Sequence, residues 1–102
     1  MLGILDFDFS WDPAKAQGNI TKHRVSFEEA ALVLHDVLAI TVFDAAHSEF
    51  EERWLTVGVS KAGRLLVVSH TFVVTSPQRA RVRMISAREA TRFERQQYDD
   101  GR

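Results

Sequence analysis

The chain has 102 residues, room for a single domain spanning 1–102 with one core and too little for two domains. Apolar residues make up 45% and charged residues 26%, the balance of a soluble globular protein. Without cysteine there is no disulfide framework and no thiolate metal site, which favours a reducing, cytoplasmic compartment.

Met1-Leu2-Gly3-Ile4-Leu5-Asp6 lacks the basic flank and apolar run of a signal peptide, and no stretch approaches a membrane span. Residues 4–11 alternate, with Leu5, Phe7, Phe9 and Trp11 against Asp6, Asp8 and Ser10, which predicts a half-buried strand. Asp12-Pro13 is a cap followed by proline at the first helical position, so a short helix is expected to run to about His23. Ser26 and Glu29 form an S-x-x-E capping box for a second helix carrying Phe27, Ala30, Ala31 and Leu34. Leu38 to Phe43 and Arg53 to Ser60 read as strands joined by a polar connection from Asp44. Lys61-Ala62-Gly63 is a hairpin turn into one long strand, Arg64 to Val74, whose middle is apolar on both faces. A loop with Pro77 leads to a strand over Arg81–Ser86. Ser86 and Glu89 offer a second capping box for a closing helix, Ala87 to Tyr98, followed by a fraying tail. The expected fold class is α+β in the order β-α-α-β-β-β-β-α, an antiparallel meander covered by helices.

The net charge of −1 hides a division. Residues 1–52 hold three basic against ten acidic residues, a net −7, and residues 53–98 hold nine basic against two acidic, a net +7. Eight of the nine are arginines, which suit bidentate phosphate contacts. The division admits two readings: a polyanion site on one face, or two halves that neutralise each other across the fold. Lys22-His23 at a helix C-terminal turn is either a dipole-favoured cap or a base and phosphate contact. Glu52 and Arg53 open a strand, and as neighbours they face opposite sides. Arg81 and Arg83 share a strand face. Arg88, in the first turn of the closing helix, would oppose the helix dipole and so needs a carboxylate or phosphate partner. His47 near Asp44 and Glu49 matches no zinc spacing; no metal or cofactor is expected.

The ordered set Phe9-Ser10-Trp11-Asp12-Pro13-x-Lys15-Ala16, Asn19, Lys22-His23-x-Val25-Ser26-Phe27-Glu28-Glu29-Ala30 resembles the BrnT toxin family. Asp44, His47-Ser48, Glu51-Glu52-Arg53, Gly58-x-Ser60, Gly63-Arg64, Arg83-x-Ile85-Ser86-Ala87-Arg88-x-Ala90-Thr91 and Glu94-Arg95-x-x-Tyr98 extend the resemblance from about Phe7 to Tyr98. The chain has Arg24 where the family usually has glycine, and Val73 where it tends to carry arginine. The resemblance implies a RelE-like ribonuclease toxin of a type II toxin–antitoxin system. It implies neutralisation by a BrnA-like antitoxin, RNA as substrate, DNA contacts only through the antitoxin complex, and no membrane partner.

Metal-free RNA cleavage needs a base for the ribose 2′-OH, cations for the phosphorane and an acid for the leaving oxygen. His23 is the candidate base or acid and Glu52 a second candidate base. Arg53, Arg64, Arg83 and Arg88 are candidate phosphate clamps, with Lys22 assisting. The alternative is a catalytically inactive, toxin-like binding module that pairs with an antitoxin or nucleic acid.

Overall fold

The computed structural model describes residues 6–101. Strand β1 (Asp6–Ser10) is followed by helices α1 (Pro13–His23) and α2 (Phe27–Val33). Then come β2 (Ile40–Phe43), a 3-10 turn at Ala45–His47, β3 (Trp54–Val59), β4 (Leu65–His70), β5 (Val73–Ser76), β6 (Arg79–Glu89) and α3 (Arg92–Asp100). The start of the first strand at positions 4 and 5, and the last residue of the tail, lie outside the described residues. No helix among the described residues is long and apolar enough to cross a membrane.

The α+β class stands, with three helices and a sheet of six strands in the order β1-β6-β4-β3-β2. The purely antiparallel meander does not. β2, β3 and β4 are antiparallel neighbours, but β1 runs parallel to β6, pairing Phe7 with Ala80 and Ser10 with Arg83. The long strand expected over Arg64–Val74 is two strands that share one edge of β6: β5 pairs with its first half and β4 with its second. Between them the backbone N–H of Thr71 donates to the Arg83 carbonyl at 3.0 Å, and Thr71 Oγ1 accepts from the Arg83 N–H at 3.0 Å. The sequence order therefore gains one strand over the expected four after α2.

β6 also overturns the expected closing helix. The strand continues through Ser86-Ala87-Arg88-Glu89, and the helix starts at Arg92. Thr91 caps it, and Glu94 returns the bond to the cap, a complete capping box five residues later than expected. Both boxes are in the sequence, and the first loses because residues 86–89 complete a ladder with Leu66–Ser69. Ser69 opposes Ser86 while His70 opposes Met84, so Ile85 is an extra residue, a β-bulge. The bulge shifts the inward phase from Ala80, Val82 and Met84 to Ala87.

The core lies between one sheet face and α1 and α2. Val25, Phe27, Ala30 and Val33 pack on Leu66, Val68, Val82, Met84 and Ala87, all buried. Phe7, Phe9 and Trp11 close its flank, with the Trp11 and Phe27 rings 5.9 Å apart. Residues directly paired across strands share a face, so Leu55, Ser69 and Ser86, and likewise Val57, Val67 and Arg88, face away from this core. α3 covers part of that second face, lining a hollow with Ile40, Val42 and Val57. No described helix covers the remainder.

Candidate active site

The uncovered part of the second face is a hollow of about 290 Å³ lined by Asp44, His47, Arg53, Leu55, Ser69, Ile85, Ser86 and Arg88. β3, β4 and β6 form its floor, and the bulge at Ile85 brings that side chain into its lining. A second hollow of about 360 Å³ lies beside it, lined by Ala46, His47, Glu49, Phe50, Glu51 and Arg53. His47 and Arg53 line both, so they form the shared wall.

Two arginines meet at one carboxylate. Arg83 Nη2 donates to both oxygens of Glu51 at 2.5 Å, and Arg53 Nη2 lies 3.4 Å from Glu51 Oε1. The Arg83 hydrogen bond, more than any other influence, holds the Glu51 carboxyl below its usual range. Arg53 Nε is buried with no hydrogen-bond acceptor among the described residues. On the other side Arg88 makes a two-pronged pair with Glu94, Nη1 to Oε1 and Nη2 to Oε2, each at 2.8 Å. That pair pulls the Glu94 carboxyl down to about 2 and raises the Arg88 guanidinium. Arg88 thus has the acidic partner that its sequence position demanded, although it lies on a strand and not in the first turn of a helix.

The 44–53 loop is tied to itself. The Asp44 N–H donates to the Arg53 carbonyl at 2.8 Å, Ser48 Oγ donates to the Asp44 carbonyl at 2.6 Å, and the Arg53 N–H donates to Ser48 Oγ at 2.9 Å. Glu52 and Arg53 precede β3 and are not its opening pair, which frees them from strand alternation. Glu52 points into solvent and pairs with no described residue.

The other candidates lie elsewhere. Arg64 donates to the Glu29 carboxylate on α2 and, from Nη2, to the Arg24 carbonyl at 3.0 Å, so it belongs to the helix-covered face. Glu29 therefore serves Arg64 and the Ser60 hydroxyl, and only the Ser26 half of the first capping box forms. Lys22 is exposed and His23 half-buried in the turn beside Arg64. Arg64 reaches within 4.0 Å of Glu89, at the far end of β6 from Arg83. Glu89 is six strand residues along β6 from Arg83, roughly 20 Å at about 3.3 Å each. Arg53, Arg83 and Arg88 thus come together on one face, whereas Lys22, His23 and Arg64 gather on the other.

Glu51 and the His47–Asp44 pair were not singled out as site residues in the sequence. His47 Nδ1 is 2.9 Å from Asp44 Oδ2. The i,i+3 spacing of Asp44 and His47 was the available signal, but it becomes a contact only through the 3-10 turn. Among the described residues no group of three or more His, Asp or Glu side chains is placed to hold a metal.

A small α+β protein thus carries, on one sheet face, two arginines converging on a carboxylate beside a histidine–aspartate pair. The chain belongs to the family described as the ribonuclease toxin, BrnT, of type II toxin–antitoxin systems, which matches residues 11–94. The 1.1 Å crystal structure of the Brucella abortus ribonuclease toxin, BrnT, is similar in fold: the TM-score is 0.59 at 22% identity, over 90% of this chain and 100% of that one. No curated protein matches the chain. A type II system pairs its toxin with a protein antitoxin, so a protein partner follows from the family.

Proposed function

We propose that this toxin is an endoribonuclease that cleaves RNA without a metal, by acid–base and arginine-assisted phosphoryl transfer, and so inhibits translation and growth. It acts in the cytoplasm, a BrnA-like antitoxin neutralises it, and it reaches DNA only within that complex. The observation that carries this reading is the shared grip of Arg53 and Arg83 on the Glu51 carboxylate. A carboxylate and a phosphate both present oxygens to a guanidinium fork, so Glu51 occupies the position a scissile phosphate would take. Arg88, across the hollow, is the third cation. Fixed cations aimed at developing charge are among the largest contributions an enzyme makes. Lys22, His23, Arg64 and Glu52 stand outside this centre.

The alternative, an inactive binding module, draws on the same pairs, since Arg83 and Arg88 each already hold a carboxylate. Purified protein incubated with ribosome-free RNA in EDTA separates the two. Cutting of the RNA is the expected result. RNA binding that weakens steeply with salt, without cutting, identifies the binding module and overturns the nuclease reading.

A further inference from the structure

The ribonuclease reading leaves its base unassigned, and the following inference rests on that reading. We propose that His47 is the general base of RNA cleavage and that Asp44 is its positioning residue. A carboxylate only accepts hydrogen bonds, so the 2.9 Å contact with Asp44 Oδ2 fixes the proton of neutral His47 on Nδ1. The lone pair then sits on Nε2, which has no partner among the described residues. The ring is accessible, with 68% of the side chain exposed, while Asp44 is held at 12%. The bonds from Ser48 and the Asp44 N–H tie this dyad to Arg53, so base and clamp are held on one hydrogen-bonded loop.

The other three histidines are placed for different work. His70 is 1% exposed, and its nitrogens are engaged by Thr56 Oγ1 at 2.7 Å and the Thr71 carbonyl at 2.8 Å. His35 packs its ring 5.4 Å from that of Phe7. His23 lies in the turn beside Arg64. Glu51, the carboxylate in the arginines' grip, is engaged by Arg83 and held in its charged form, which weakens it as a base. Charged groups facing His47 are Asp44 on its own turn, Glu49, Glu51 and Arg53 across one hollow, and Arg53 and Arg88 across the other.

In the step assigned to it, His47 Nε2 takes the ribose 2′-OH proton as the 2′-oxygen bonds to phosphorus. The bond from phosphorus to the 5′-oxygen breaks. The leaving oxygen takes a proton from water, and the imidazolium returns its own to the hydroxide so formed. The products are a 2′,3′-cyclic phosphate and a 5′-hydroxyl.

The test measures RNA cleavage by the purified full chain in EDTA, from pH 5 to 8, with product ends identified. His47→Ala is expected to lower kcat on the order of 10²–10⁴-fold, and added imidazole to recover part of it. His47→Gln, closer in size, gives the same loss if the alanine variant folds poorly. Asp44→Asn keeps the size but removes the carboxylate that holds the Nδ1 proton, and is expected to lower kcat on the order of 10-fold or more while leaving KM near wild type. Wild-type cleavage by folded His47→Ala and His47→Gln, while Arg83→Ala is inactive, overturns His47 as base and leaves the nuclease reading standing. An Asp44→Asn kcat equal to wild type overturns the positioning role. A wild-type protein that never cuts RNA ends both readings.

Discussion

Asn19 shows what one side chain can do for this fold. Its Nδ2 donates to the Val25 carbonyl at 2.9 Å and the Ala87 carbonyl at 2.8 Å, and its Oδ1 accepts from the Ala87 N–H at 3.1 Å. β1 stops at Ser10, opposite Arg83, so among the described residues that edge of β6 has no strand partner at Ala87. Asn19 supplies the ladder bonds the missing strand would have made. Asn19→Ala leaves those buried backbone groups unpaired, and a loss of about 2–4 kcal/mol in urea unfolding is expected. Glu94 allows a pH test. Its folded value of about 2 lies below its ordinary 4.5, so the stability it contributes is complete above about pH 4.5 and is lost as pH falls toward 2. Glu94→Gln keeps an acceptor for the helix cap but removes the charge. It should cost about 1–2 kcal/mol at pH 7, a difference from wild type that shrinks steadily below pH 4.5 in denaturant titrations. Arg88 was readable in the sequence as a cation needing an acid. Which acid it takes depends on where the helix starts, and that was not readable.

The starts of the first two helices and the tight turn were the most legible elements, because a cap is a local bargain between a side chain and the next backbone N–H groups. Asp12 and Ser26 cap α1 and α2 as expected, and Gly63 turns the β3–β4 hairpin at φ +84°. The β4–β5 break and the β6 extension were not legible, because both depend on pairing between residues distant in the chain. Leu65 to Val74 is apolar enough to run on as one strand; it divides where Thr71 bonds Arg83. The bulge at Ile85 was equally hidden, since the alternation through Val82 and Met84 gives no warning of a phase change. α1 ends on Arg24 at φ 59°, the left-handed region that glycine occupies without strain. Arg24→Gly relieves that strain and keeps the carbonyl that Arg64 holds. A gain of about 0.5–1 kcal/mol is expected after the added unfolded-state entropy of glycine, read as a higher thermal midpoint.

At the scale of the molecule, the opposite charges of the two chain halves meet. Asp8 pairs with Arg79, Glu29 with Arg64, and Glu51 with Arg83, each an acid of the first half with an arginine of the second. The two readings of the charge division are therefore not rivals. Two of these contacts tie the fold together, and the third lies where the anion cradle is proposed. The arginines needed for the candidate site could be named from sequence, but sheet topology divides them. Arg64 lies beside the Glu89 end of β6 and Arg83 near the middle of that strand, on opposite faces, which no local pattern around either residue could reveal. The proposed catalysis on the open face is best checked by the RNA cleavage rates of folded Arg83→Ala and Arg64→Ala proteins in EDTA. A loss on the order of 10²-fold or more is expected for Arg83→Ala, with Arg64→Ala close to wild type. Full activity in Arg83→Ala with a dead Arg64→Ala would contradict the proposal, and would move the active centre to the Lys22-His23 turn.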